Sequence, residues 1–235
     1  MAYIYEYIRT RGFEPLFFEE YFARLDGLSR RLFLAPIAIE PNALKREIAK
    51  ALQQGGCSPR TANAVRVQCS SSGKVEVDAV DILYNDFSLR ALRPEGYLSR
   101  VSGELIVENT SAKDALIELN RAMAQISDEG VAIWVDEQGE VLAMDGAPVV
   151  AVFDGEVRFS RRGDGVEFDI AYSETAKLGY RVSKGAIMVE ELRSAKELLC
   201  IDYRGVTAIY SFDSRLYMDI VAEKIAQAVA DVERR

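Results

Sequence analysis

An α+β fold is predicted for this chain from three features of its sequence. Alternating runs such as AYIYEYIR, AVRVQCS and KVEVDAVDI show the period of two that half-buried strands require. LFFEEYFARLDGLSRRLF and PNALKREIAKALQQGG instead show the 3.6-residue period of amphipathic helices. Short turn signals separate neighbouring strand runs, with Asp154-Gly155 the strongest of them. At 235 residues, 49% of them hydrophobic, the chain has enough apolar material for one large domain or two modest ones.

Taken in order, AYIYEYIR is read as a strand ended by the turn Thr10-Arg11-Gly12. Pro15 introduces a helix in which Phe18, Phe22, Leu25, Leu28 and Leu32 share one face, with Gly27 as a weak point. A second helix opens at Pro41, places Leu44, Ile48, Ala51 and Leu52 together and stops at Gly55-Gly56. The runs AVRVQCS and KVEVDAVDI then form a hairpin around Ser71, Ser72 and Gly73.

Residues 90 to 103, RALRPEGYLSRVSG, carry Pro94 and two glycines without periodicity, and are read as a linker centred near 97 to 104. The expected domains are therefore an α+β unit over 1–100 and a second unit over 101–235, built on antiparallel strands with packed helices. In the latter, a helix begins near Ser111 with Ala112, Ala115, Leu116, Leu119, Met123 and Ile126 as its apolar stripe. VAIWV, EVLAM, PVVAVF and EVRFS follow as four antiparallel strands, then a helix over roughly 166 to 178 that ends at Gly179. YRVSKGAIMVEELRSAKELLCID reads as strand, short helix, strand, and the last helix as the segment from Ser214 onward, with Leu216, Ile220, Val221 and Ile225 on its stripe.

Composition removes several functions. With 37 acidic against 29 basic residues, the net charge of −8 opposes the phosphate-neutralising surface of a nucleic-acid binder. Apolar runs are too short to span a bilayer, and MAYIYEYIR lacks the basic end and apolar stretch of a signal peptide, so no membrane partner and a cytoplasmic location are expected. Cys57, Cys69 and Cys200 are widely spaced and form neither a disulfide framework nor a thiolate metal site. The absence of histidine excludes Ser-His-Asp and Cys-His pairs and His-ligated metals, which leaves Lys, carboxylates, Tyr, Cys or a cofactor to carry protons. Ser71-Ser72-Gly73-Lys74 lacks the glycine-rich lead of a P-loop, Gly163-Asp164-Gly165 lacks its partner glycines, and Glu190-Glu191 has no metal-ligand spacing.

Three segments carry a resemblance. IYEYIRTRGFEPLFFEEYFARL looks like the segment of class IV pyridoxal-phosphate aminotransferases that runs FETIR, a turn, then PLFLEEHLARL. AIWVDEQGEVLAMDGAPVVAVFDGEVRF tracks that family's strand-turn-strand pattern, and ETAKLGYRVSKGAIMVEELRSAKELLCID is similar to a third of its segments. The order agrees and most of the chain is covered. The group includes branched-chain and D-amino acid aminotransferases and aminodeoxychorismate lyase. The resemblance implies the two-domain fold type IV of these enzymes, a homodimer, pyridoxal phosphate as cofactor, and transaminase or lyase action on a small amino compound.

Carried over residue by residue, Arg24 matches the arginine of the family's HxxRL helix, which binds the cofactor phosphate, while Tyr21 replaces its histidine. A guanidinium suits that task because its paired donors match phosphate geometry. The family's Schiff-base lysine lies just ahead of the helix that precedes VAIWV, and Lys113 is the only lysine in that stretch. If Ser111 caps the helix with Asp114 as partner, Lys113 occupies the first turn, where the helix dipole favours a neutral, nucleophilic amine. A rival register sets Asn109-Thr110 against the family's Lys-Thr and loses the lysine. Asp145 is the one acid near the position that pairs with the pyridine nitrogen. Gly165-Val166-Glu167-Phe168 stands where the family has a Gly-Ile-Thr-Arg phosphate turn, and Arg204 with Gly205 stands in its later phosphate loop. Those departures leave an alternative open, in which the scaffold is kept for binding or assembly and the cofactor chemistry is lost.

Overall fold

The structure is a computed structural model that describes residues 2–80, 87–102, 108–123 and 130–235. Two compact units divide the chain: Met1–Asp86 with Asn109–Ser111, and Phe87–Glu108 with Ala112–Arg235.

In the first unit, β1 (Tyr3–Arg11), β2 (Glu14–Pro15), β3 (Ala62–Ser70) and β4 (Val75–Val80) form an antiparallel sheet in the order β2-β1-β3-β4. β1 and β3 pair along their whole length, from Tyr3 opposite Ser70 to Arg11 opposite Ala62. Ile4, Ile8, Val65 and Val67 point to one face because side chains alternate along a strand. Helices α1 (Phe18–Phe33) and α2 (Pro41–Gln54) pack on this sheet through buried Leu25, Leu28, Leu44, Ile48 and Leu52. Each such burial contributes about 1.5–3 kcal/mol. α1 runs unbroken through Gly27, while Leu32, placed on its apolar stripe by the sequence, is exposed. α2 stops where expected, with the Gly55 N–H donating to the Ala51 carbonyl.

The second unit holds two five-stranded sheets. One is ordered β10-β9-β8-β11-β12, from β8 (Val149–Phe153), β9 (Glu156–Ser160), β10 (Val182–Gly185), β11 (Glu197–Asp202) and β12 (Gly205–Ala208). The other is ordered β14-β13-β5-β6-β7, from β5 (Glu95–Arg100), β6 (Gly130–Val135), β7 (Val141–Met144), β13 (Ser211–Phe212) and β14 (Arg215–Leu216). Helices α4 (Val166–Lys177) and α5 (Ile220–Glu233) cover the first sheet around Phe159, Phe168, Leu199, Ile225 and Val229. Val131, Ile133, Val149, Ala151 and Leu198 make a second core from residues of both sheets. A short 3-10 helix over Val189–Ser194 leads into β11, so the strand, short helix, strand reading is matched.

Three expectations need correction. The four strands read as antiparallel neighbours form two hairpins, β6–β7 and β8–β9, that belong to different sheets. The cause is the tight Met144–Ala147 turn, where Asp145 and Gly146 both have positive φ, followed by Pro148. Within the segment read as a linker, residues 95–100 form β5, parallel to β6 from Glu95 opposite Gly130 to Arg100 opposite Val135; its residues 103 and 104 lie outside the described residues. Gly96, which made this stretch look like a loop, is required there, since a Cβ would come within 2.5 Å of Ile133 Cδ1. The last helix starts at Ile220 instead of Ser214, because Asp213 and Ser214 take left-handed conformations and turn β13 back into β14. Leu216 is consequently exposed.

Candidate active site

Helix α3 (Ser111–Met123) presents the central question of this chain. Ser111 is its first residue, so the cap position falls on Thr110, and Lys113 is the third helical residue. Ahead of the helix, Thr110 bridges to Ile4 and the Tyr5 N–H donates to the Asn109 carbonyl at 2.9 Å.

The orientation of α3 keeps Leu116 of its predicted stripe and turns Ala112, Ala115 and Leu119 outward. Ala112, Ala115 and Leu119 are exposed, whereas Lys113 is buried and Leu116, Ile117 and Asn120 are half-buried. Ile126 lies outside the described residues. Three contacts set this rotation. A Cβ on Gly146 would fall 2.9 Å from Lys113 Cε and 3.0 Å from Ile117 Cδ1, so this glycine lets the lysine stem and Ile117 lie flat on the turn. The Ser99 hydroxyl donates to the Asn120 side chain, and Arg121 donates to Asp145. Leu116 and Ile117 fill in against Ala132, Trp134, Leu142 and Ala143. Lys113 borders a cavity of about 20 Å³, room for one water, with Leu142, Ala143, Pro148, Arg162 and Asp164 around it.

Asp145 is fixed on both sides. Its N–H donates to the Ala132 carbonyl at 2.9 Å, and its carboxylate accepts the Ala132 N–H at 3.1 Å together with Arg121. Burial pushes its carboxyl above the usual range, opposed by the Ala132 N–H and by the charges of Arg121 and Arg204. Arg121 was passed over in the sequence, although it lies two helical turns beyond Lys113 on the same inward side.

Arg204 and Gly205 belong to the tight turn between β11 and β12. Arg204 donates from Nε at 2.9 Å and Nη2 at 2.5 Å to Asp202 Oδ2, and its backbone N–H reaches Oδ1 at 2.8 Å. Burial alone would raise the Asp202 carboxyl, but the Arg204 charge and hydrogen bonds outweigh it and hold the group below its usual range. A carboxyl lowered in the folded state stabilises it above the unfolded value, about 3.9, and that contribution fades as pH falls through the folded value. Arg204→Met is therefore expected to show its largest stability deficit at neutral pH and a shrinking one below about pH 4. Denaturant melts of both proteins from pH 7 to 3 check this, and a deficit independent of pH would contradict it.

Arg24 lies in the first unit, where its Nε is 3.3 Å from Glu6 Oε1. Glu6 is buried and its second oxygen accepts Asn109 Nδ2 at 3.2 Å. The second unit brings Lys113, Asp145, Arg204 and Gly205 into one fold, with Asp145 and Arg204 in electrostatic reach of each other. In the segment read against the family's phosphate turn, Glu167 and Phe168 are both buried, Phe168 against Phe159. Burial pushes the Cys69 thiol up to about 11 and the Cys200 thiol to about 12, so neither is a nucleophile at neutral pH. Among the described residues no acidic or cysteine cluster could hold a metal ion, and no helix is long and apolar enough to cross a membrane.

Comparison with known proteins agrees with this architecture. The family model of amino-transferase class IV matches residues 3–209. No curated protein matches the chain. The T.th. branched-chain amino acid aminotransferase, solved with N-(5'-phosphopyridoxyl)-L-glutamate, superposes with a TM-score of 0.79 at 18% identity, covering 100% of this chain and 86% of that one. The branched-chain aminotransferase of Thermoproteus uzoniensis gives 0.81 at 16%, covering 98% and 85%. A provisionally named 4-amino-4-deoxychorismate lyase of Legionella pneumophila gives 0.76 at 13%, covering 98% and 91%. These likenesses show the fold, and the family match over most of its length shows that this α+β chain belongs to the class IV aminotransferases.

Proposed function

We propose that the chain is a pyridoxal-phosphate-dependent transaminase or lyase acting on a small amino compound, with Lys113 carrying the reactive amine. The observation that supports it is a buried lysine in the first turn of α3, seated on the Gly146 turn in the same unit as Asp145, Arg204 and Gly205. The charged groups suit such a cofactor. Asp145 has two donors and retains acceptor capacity for a ring N–H, and Arg121 favours its ionised form. Arg204 is oriented by Asp202 and keeps Nη1 for an anion. Arg24 enters by resemblance alone. When bound, pyridoxal phosphate supplies an electrophilic carbon and an electron sink. The chain supplies a buried amine in the first turn of α3, which can hold or release the substrate proton. The same reading takes the protein as a cytoplasmic homodimer; a sedimentation mass of one chain would remove the dimer from it.

A second reading starts from the rival register. The resemblance puts the lysine just ahead of the helix, and α3 begins at Ser111, so that place belongs to Asn109. On this reading the scaffold binds its ligand without a covalent link. Incubation with pyridoxal phosphate, borohydride reduction and peptide mapping separates the two. An adduct on Lys113, absent in Lys113→Ala, is expected. No adduct in the wild type, with one appearing on residue 109 of Asn109→Lys, would establish the second reading, and none in any variant would overturn cofactor chemistry altogether.

A further inference from the structure

A cavity of about 560 Å³ opens on the second unit, where β5, the β13–β14 hairpin and the 3-10 helix over Val189–Ser194 meet. It shares no lining residue with the small cavity beside Lys113. Its volume falls in the range of small-molecule sites, roughly 300–1,000 Å³. Parallel pairing sets Gly96 opposite Val131 and Leu98 opposite Ile133, so alternation turns Gly96 and Leu98 toward the core face of their sheet. Val189 and Phe212 pack against that core and line the cavity as well. The cover stops there, and Leu98 is left 44% exposed. The floor is apolar and open to water.

Three contacts hold the hairpin against the 3-10 helix. The Tyr217 hydroxyl donates to the Leu192 carbonyl at 3.0 Å, Arg215 Nη2 to the Ala195 carbonyl at 3.2 Å, and Arg193 Nη2 to Asp213 Oδ2 at 2.6 Å. Buried Tyr217 anchors this wall, whereas the Arg193–Asp213 pair is solvated and contributes little to stability. The mouth carries one guanidinium and two carboxylates, from Arg193, Glu190 and Asp213. Among the described residues only Nη2 of Arg193 is engaged, which leaves Nε and Nη1 for an oxyanion. Two acids repel a lone carboxylate, and Arg193 repels a lone amine. A zwitterion answers both signs. Gly96, without a side chain, leaves a flat floor for a planar ring, and Phe212 offers it an aromatic partner.

We propose that this cavity binds an α-amino acid with an aromatic side chain, its carboxylate on Arg193, its ammonium toward Glu190 and Asp213, and its ring on Gly96, Leu98 and Phe212. The site stands apart from the reading of Lys113 above and needs neither that amine nor a cofactor. Calorimetric titration of the full chain with phenylalanine, 3-phenylpropionate and phenethylamine, without added cofactor, tests it. Phenylalanine should bind, and the two compounds that carry a single charge should bind more weakly. Arg193→Gln should weaken phenylalanine binding roughly three- to tenfold, the effect of one hydrogen bond. Leu98→Ser should weaken it through lost apolar contact. Both side chains are exposed, so both variants should melt like the wild type. No phenylalanine binding by the wild type, or undiminished binding by both variants, overturns the site. Binding of 3-phenylpropionate or phenethylamine as tight as that of phenylalanine overturns the zwitterion. Binding lost in Lys113→Ala and kept in Arg193→Gln would put the amino acid at the amine of α3 and sink the cavity as its site.

Discussion

Replacing Glu197 with alanine is expected to lower stability by about 3 kcal/mol, because its buried carboxylate holds the start of α5 and charge-assisted hydrogen bonds contribute about 1.5–3 kcal/mol each. Oε1 accepts the Val221 N–H at 2.8 Å, and Oε2 accepts those of Val221 at 2.9 Å and Ala222 at 2.9 Å. The residue just before the helix, Asp219, makes no side-chain cap of its own, so the carboxylate from β11 performs that task from a distance. Its negative charge also meets the positive end of the helix dipole. For a chain of this size the melting temperature should fall by roughly 6–12 °C. Glu197→Gln keeps one acceptor and should lose less. Thermal melts of the three proteins decide the matter, and a loss under about 1 kcal/mol in the alanine variant would mean that α5 finds another cap.

Gly205→Ala is expected to cost as much or more, through the backbone. Gly205 has a φ of 122°, and a Cβ there would lie 2.4 Å from the Ser88 carbonyl oxygen. An unfavourable φ costs about 1–3 kcal/mol and forced overpacking about 1–3 kcal/mol more. Since the Ser88 carbonyl also accepts the Val206 N–H, a shift to relieve the clash breaks the pairing of residues 88–90 with β12. A melt of Gly205→Ala indistinguishable from the wild type would show that this strand can move aside freely.

Much of this architecture is legible in the sequence, and the failures share a cause. α2 can be read because Leu44, Ile48 and Leu52 recur at helical spacing and all three are fully buried. In α3 the same rule picked Leu116 correctly but also Ala112, Ala115 and Leu119, because beside the apolar patch of Ala132, Trp134, Leu142 and Ala143 the helix meets a glycine turn and an aspartate. These select Lys113 and Arg121 for the inward side. Periodicity identifies an apolar face but carries no information about what the opposing surface offers. β5 was hidden for a similar reason: Gly96 reads as a breaker, and only the neighbouring Ile133 side chain explains its presence. Of the site residues, Lys113, Asp145 and Arg204 could be singled out by resemblance. Their partners Arg121 and Asp202 could not, because ion pairs between distant segments leave no periodic trace.

The path of the chain between the units limits how the protein can be taken apart. Residues 109–111 join the first unit while the residues on both sides of them belong to the second. The Asn109 carbonyl completes the hydrogen bonding of Tyr5, and its side chain that of Glu6. No single cut in the polypeptide yields two intact pieces. A fragment ending at residue 86 keeps the β2-β1-β3-β4 sheet but loses the Asn109 partner of the Tyr5 N–H and of Glu6, and during synthesis those contacts form only after residue 109 has been made.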